Sequence, residues 1–398
     1  MSRDVPWQGR ADFTTERPLI LLTDYPPDAG GGGAVILRSL LGPREREGLV
    51  WLTLSPTNEA DENVITLRSG SAGRGGRSVG KDTTIHAGAL AREILAVAQE
   101  RAAGAIWVVM HNAAVPIAAK IVRSGRFPVH LTVHDDPAFA NALRSKRYLM
   151  LVPWIERHFA YAIKRATSID VVGEAMRKRY RMRYGVDSTV VHRALDEPVE
   201  SGPTYDAARH GLRVGVLGST YSYEPLPLLA KAVEIAAKRL NVPPRLRIMG
   251  KSYGERLRDE YAGRVEVDVT GHVSEIDAIP LLRECFALDL NYPFDRRDAV
   301  LRQTSFPTKL STYIQAARPL LLHVPTDSSV MPLVDESGYA VPWTNRDPEA
   351  GADALVSMWN RPENHRCRAV AAERIRSTYY DPIRNRATLF ASLGGLLR

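Results

Sequence analysis

Cysteine is scarce in this 398-residue chain, which holds only Cys285 and Cys367. Two such residues build neither a disulfide framework nor a metal-ligand spacing. They suit a reducing compartment, and the expected localisation is cytoplasmic. Long hydrophobic runs are also missing. No apolar stretch reaches the ~20 residues that span a bilayer. The segment from Met1 to Arg17 is polar and charged, unlike a secretory leader. No acidic D-x-D pair is placed for a divalent cation, and Asp135 and Asp136 are adjacent, so their carboxylates need not converge on one ion. Short internal repeats are absent too.

What is present is an ordinary globular composition, 44% apolar and 25% charged, in a chain long enough for two cores. The net charge is +8 and unevenly spread. Asn141 to Arg183 holds eleven Lys/Arg against Glu156, Asp170 and Glu174, a surplus of eight that equals the whole chain's. This stretch, 141–183, fits two readings. It is an amphipathic basic surface that docks peripherally on an anionic membrane at the inner face, or a buried helix with a solvated basic face. Nucleic acid is a poor partner, because no DNA- or RNA-reading motif accompanies the charge.

Short apolar runs alternate with helical periodicity along the chain. Leu19-Ile20-Leu21-Leu22 reads as a buried parallel strand, and a Gly-rich turn and a helix over Ala34–Leu41 follow it. Strand patterns recur at Val50–Leu54, Ala105–Met110, Pro128–Val133, Ser168–Val172 and Thr189–Val191. A second series starts at Leu212–Leu217 and continues through Arg245–Met249, Val265–Val269, Ala287–Leu290, Leu320–His323 and Tyr339–Val341. Such alternation predicts two α/β units with parallel sheets. The expected domains are 1–195 and 212–360, with the breaker-rich stretch 196–211 as linker. Residues 361–398 read as C-terminal helices, for which a return to the first domain is one open course. Ligands bind beyond the carboxyl ends of such strands, so a cleft between the sheets is the expected site.

Several segments, in order, resemble glycosyltransferase family 4, whose members are retaining enzymes of the GT-B fold. Asp24-Tyr25-Pro26-Pro27 with Gly30–Gly33 looks like its N-terminal signature. Val133-His134-Asp135-Asp136-Pro137 resembles its histidine-bearing strand end. Val214–Gly218, Ile248-Met249-Gly250-Lys251-Ser252 and Val269-Thr270-Gly271-His272-Val273 resemble its C-domain turns. Phe306-Pro307-Thr308-Lys309-Leu310, running to Pro319, resembles its last motif. The resemblance implies two Rossmann-like domains facing across a cleft. It also implies a hexosyltransferase moving sugar from a nucleoside diphosphate sugar to a glycan or lipid-linked acceptor, as in polysaccharide biosynthesis, with no metal or other cofactor. In the register of Pro319, Thr304 and Thr312 stand where the family usually has two glutamates. The Arg and Lys that usually follow the first C-domain strand are missing as well. A catalytically inactive sugar-nucleotide- or partner-binding module is therefore the alternative.

The chemistry needs a stabilised diphosphate, a held sugar and an aimed acceptor hydroxyl. Gly31, Gly32 and Gly33 open a helix whose unpaired N–H groups attract an anion. Lys251, Arg302 and Lys309 are the candidate diphosphate cations, with Arg296 and Arg297 behind them. His134 and Asp135 are the candidate catalytic pair, the histidine by resemblance and the carboxylate as a proton acceptor. The plainer reading is helix capping by Asp136 and a hydrogen-bonded strand-end histidine. His111 and Asn112 end the preceding strand and would line the same cleft. His272 lies in the turn resembling a base-binding one, and Thr304 and Thr312 could bond sugar hydroxyls.

Overall fold

The structure is a computed structural model that describes residues 17–29, 32–42, 46, 48–57, 61–69, 82–111, 113–137, 148–218, 220–250, 253–334, 339–361 and 364–394. The chain divides into two compact units. One is formed by 1–194 with 382–398, the other by 195–381.

The first unit is built on seven parallel strands: β1 (Leu19–Thr23), β2 (Leu49–Thr53), β3 (Val64–Thr66), β4 (Ala105–Val109), β5 (Val129–Val133), β6 (Ser168–Val171) and β7 (Thr189–Val190). Their spatial order is β3-β2-β1-β4-β5-β6-β7. Leu19 to Leu22 have zero exposure, because helices cover both faces of a parallel sheet and such a strand needs no polar side. The helix Ala87–Glu100 buries Ala87, Leu90, Ala91, Ile94, Leu95 and Ala98, the i, i+3, i+4 stripe of an amphipathic helix. β3 is the strand that the sequence pattern does not reveal. It has three half-buried residues, too few to show a period.

The second unit has six parallel strands: β8 (Leu212–Leu217), β9 (Pro244–Met249), β10 (Glu266–Gly271), β11 (Ala287–Asn291), β12 (Leu320–His323) and β13 (Ala340–Trp343), ordered β10-β9-β8-β11-β12-β13. In both sheets the order reverses beside the first strand, between β1 and β4 and between β8 and β11. Each unit therefore has one switch point, where the strands' carboxyl ends leave a crevice. Two parallel-sheet, Rossmann-like domains are thus present. Among the described residues, no helix is long and apolar enough to cross a membrane.

Two boundaries differ from the expected ones. The stretch 196–211 packs into the second unit instead of linking. Tyr205 places its ring edge-on to Phe286 at 5.6 Å and donates its hydroxyl to the Gly211 carbonyl at 2.8 Å. Asp206 caps the short helix Ala207–His210. The helical pattern after 361 is also divided. Asn364–Tyr379 stays with the second unit, while Pro382–Gly394 joins the first. There Leu389, Phe390 and Leu393 pack in one cluster with Trp51 and Trp107. Asn385 accepts from the His192 amide at 3.1 Å, and Arg386 donates to the Ser39 carbonyl at 2.8 Å.

The C-terminal helix should therefore stabilise the N-terminal core. Leu389→Ala is expected to cost about 2–5 kcal/mol, as other buried leucine truncations do. Urea unfolding followed by tryptophan fluorescence measures this.

Candidate functional site

At the carboxyl edge of the first unit, the turn after β1 is held by its own surroundings. Thr23 Oγ1 accepts from Trp51 Nε1 at 2.7 Å and donates to the Tyr25 carbonyl at 2.5 Å. Ser55 Oγ donates to the Asp24 carbonyl at 2.6 Å. Arg38, on the helix Gly32–Leu40, donates to the carbonyls of Pro27 and Ala29 at 2.5 and 2.7 Å. Tyr25 folds onto the start of that helix. A Cβ on Gly33 would lie 2.5 Å from the Tyr25 hydroxyl, so only glycine leaves room for it. The hydroxyl is sealed from solvent with no hydrogen-bond partner, and burial raises its pKa.

His111, after β4, and His134, after β5, come to this edge. His111 Nδ1 is 3.4 Å from Asp24 Oδ2, and its ring meets Tyr25 edge-on at 6.5 Å. Burial holds the His134 imidazole below its ordinary pKa. His111 pushes the same way, while Asp170 and Asp135 oppose it. His134 is therefore a neutral imidazole at pH 7, able to donate one hydrogen bond and accept another. Beneath it Asp170 Oδ1 accepts from Thr132 Oγ1 and contacts His130 Nε2, both at 2.5 Å, and Thr132 accepts from Trp107 Nε1 at 2.7 Å. Asp136 turns inward, 3.5 Å from the Tyr180 hydroxyl that donates to it. The first unit thus brings together Asp24, Tyr25, Gly33, His111, His134 and Asp135. Gly31 and Asn112 lie outside the described residues, and Gly32 is the exposed first residue of its helix.

In the second unit β8 and β11 pair only at Val214–Ala287 and Gly215–Leu288 before they part. The Tyr313 hydroxyl fills the gap. It accepts from the Leu217 amide at 2.8 Å and donates to the Asp289 carbonyl at 3.0 Å. Tyr313 lies one turn after Lys309 on the helix Lys309–Ala316, so the two share a face. Lys309 Nζ is sealed from solvent and has no hydrogen-bond partner. Burial lowers its pKa to about 8 against an opposing pull from Asp289. Burial raises the Asp289 carboxyl to about 7, although Asn291 Nδ2 donates to it at 2.5 Å and Lys309 lies nearby. Beside this pair the ends of β8, β9 and β10 turn at Gly218, Gly250 and Gly271, all with positive φ. The Gly250 amide donates to Gly271 and the Gly218 amide to Met249, at 2.6 and 2.7 Å, which aligns the three turns.

The remaining candidates separate here. Arg302 is not a spare cation. It forks onto Asp327 at 2.7 and 3.0 Å and donates to the Asp295 carbonyl at 2.7 Å, so it clamps its own loop. Arg296 starts a short turn, and Arg297 lies near Asp295 and Asp298 at 3.4 and 3.7 Å. Thr304 spends its proton on the Val300 carbonyl one turn back, at 2.6 Å. Thr312 donates at 2.8 Å to Glu275 Oε1, from the first turn of the neighbouring helix Glu275–Arg283. His272 is exposed in the turn just before that helix, and Lys251 lies outside the described residues. Glu275, Asp289 and Tyr313 have no signal in the sequence. A lone Asp inside the apolar strand Ala287–Asn291 was the nearest hint.

These shifts make stability depend on pH. Folded Asp289 keeps its proton to about pH 7 against an ordinary 3.8, so its contribution falls as pH rises through that window. Folded Lys309 loses its proton near pH 8 against 10.5, so stability recovers above that. Lys309→Met should abolish the alkaline recovery, as read from Tm across the pH range.

No protein-family model and no curated protein sequence matches the chain. Solved structures do match in fold. Sucrose-phosphate synthase from Thermosynechococcus elongatus aligns over 96% of this chain and 99% of its own, with TM-score 0.71 and 11% identity. Anabaena HepE, solved in complex with UDP, aligns over 95% and 100%, with TM-score 0.65 and 14% identity. Trehalose 6-phosphate synthase from Burkholderia multivorans aligns over 96% and 98%, with TM-score 0.55 and 14% identity. At such identities the likeness is one of fold, the GT-B fold that these glycosyltransferases share.

Proposed function

We propose that the chain is a glycosyltransferase whose donor is a nucleoside diphosphate sugar, bound at the carboxyl edge of the second unit. One observation carries this reading: Lys309 Nζ is sealed and unpartnered beside the switch point. A buried ammonium without a partner is costly, and a ligand anion removes the cost. A diphosphate there would hold Lys309 protonated. The same charge, in a site with little water, would stabilise the negative charge that grows on the leaving diphosphate. Lys309 thereby takes over from the absent Arg and Lys pair. A Cβ on Gly218 or Gly271 would meet nothing within 4 Å, so the ends of β8 and β10 leave room for a ligand.

Glu275 answers another of the departures. Thr312 donates a hydrogen bond to this carboxylate, so a glutamate from the neighbouring helix stands at the side chain where the family's own would be. A carboxylate on the rim of a Rossmann sheet accepts ribose hydroxyls. In this reading His272 neighbours the base. His111 and His134, at the first unit's own edge, are hydrogen-bonding groups suited to sugar hydroxyls, and Asp135 is a carboxylate suited to take an acceptor's proton. Transfer with retention and without a metal, to a glycan or lipid-linked acceptor, completes the proposal. UDP is the first nucleotide to try, since HepE was solved with UDP and with UDP-glucose.

A second reading, a module that binds sugar nucleotide without turnover, draws on Thr304, whose hydroxyl serves the backbone and offers no charge to a reacting sugar. Calorimetry with UDP and a turnover assay across UDP, GDP and ADP sugars separate the two. Folded protein that binds no nucleoside diphosphate would sink both. Lys309→Met should weaken UDP roughly 10- to 150-fold, the worth of a charge-assisted hydrogen bond. Glu275→Gln should weaken UDP and abolish discrimination against 2′-deoxy-UDP, and equal discrimination in variant and parent would remove Glu275 from the site.

A further inference from the structure

A pocket of about 420 Å³ lies between the helices Ala114–Ser124 and Val152–Ile163 of the first unit. Its charged lining is Lys120, Arg123, Arg157, Lys164 and Arg165, with His158 and Tyr161, and it contains no carboxylate. None of the five cations pairs with an acid among the described residues. Several arginines elsewhere do meet a counter-charge. Arg183 meets Glu156 at 2.8 Å, Arg239 meets Asp353 at 2.6 Å, and Arg264 meets Glu234 at 2.5 Å. Glu156 sits next to Arg157 in sequence but pairs with Arg183. The cations that line the pocket are therefore left without counter-charge.

Helix dipoles explain part of the cluster, because Arg123, Lys164 and Arg165 close their helices. They do not explain Lys120 or Arg157, which lie farther back. The pocket is also pre-shaped. Arg123 and Arg165 lie over the Tyr161 ring at 4.7 and 4.3 Å from its centroid, which restrains both guanidinium planes. Restrained guanidinium forks suit phosphate oxygens, and the flanking lysines add point charges. With Tyr161 engaged by the arginines, the lining offers little for a nucleobase to stack on, unlike a single-strand nucleic-acid groove.

Helices in such units run antiparallel to the strands they join. The C-terminal halves that bear Arg123, Lys164 and Arg165 therefore lie toward the amino edge of the sheet, away from His111 and His134. We propose that this pocket is a second anion site, distinct from the candidate donor site, that binds a ligand carrying more than one phosphate charge. It stands independently of the nucleotide reading. The ligand's source is either a lipid headgroup or a soluble phosphate compound.

The test uses the full chain and inorganic pyrophosphate, titrated calorimetrically at low salt. Arg123→Glu with Lys164→Glu should lower pyrophosphate affinity at least tenfold with an unchanged circular-dichroism spectrum. Lys309→Met should leave a pyrophosphate site intact. If the double reversal fails to fold, Lys120→Gln with Arg157→Gln, both exposed, carries the same expectation of weakened binding. Absence of pyrophosphate binding, or equal affinity in the pocket variants, overturns the proposal. Sedimentation with phosphatidylglycerol–phosphatidylcholine vesicles identifies the source. Pelleting that pyrophosphate competes away and the variants lose indicates a headgroup, and pyrophosphate binding without pelleting indicates a soluble anion.

Discussion

The Tyr313 hydroxyl, placed between the Leu217 amide and the Asp289 carbonyl, is the contact on which the second unit's crevice depends. β8 and β11 must part there, because the sheet's order reverses between them. Parting strands leave backbone groups without ladder partners, and buried orphans are costly. One side chain satisfies a donor on one strand and an acceptor on the other. It thereby fixes the helix Lys309–Ala316 across the gap and brings Lys309 beside Asp289.

The electrostatics follow from that placement. Burial acts on both members of the Lys309–Asp289 pair in the sense that favours the neutral forms. The lysine falls to about 8 and the carboxyl rises to about 7, so near neutrality the pair stands close to giving up its charges. A fully ionised partner would have answered the ammonium from within. A carboxyl that shares its oxygen with Asn291 answers it poorly, so Lys309 Nζ stays buried without a hydrogen-bond partner. The first unit's edge works in the opposite way. Burial and His111 keep His134 neutral, so that edge presents hydrogen-bonding groups in place of a cation.

Much of the architecture could be read from pattern. Leu19–Leu22 and the later apolar runs declare parallel strands because both faces are covered, and the glycines at 218, 250 and 271 mark their carboxyl ends. The strand Val64–Thr66 escaped because three half-buried residues carry no period. The stretch 196–211 looked like a linker because its breakers are a local signal. Its membership in the second unit rests on Tyr205, whose partners Phe286 and Trp359 are distant in sequence. In the same way, the helical pattern after 361 does not announce that its last helix closes the first unit's core around Trp51 and Trp107.

The sequence by itself determined the fold class, the two parallel sheets and, in the first of them, the strand ends that Gly33, His111 and His134 follow. Those follow from hydrophobic period and turn chemistry, which are properties of neighbours along the chain. Only the tertiary structure decided which candidate residues have charge to spare. Arg302 and Lys309 look alike as cations in one loop-helix region, yet Arg302 is neutralised by Asp327 and Lys309 Nζ has no partner. Thr304 and Thr312 look alike as substitutes for glutamates, yet one hydroxyl serves the Val300 carbonyl and the other reaches Glu275. The physical reason is that a polar group's availability is set by what it already bonds, and those partners come from other elements of the fold.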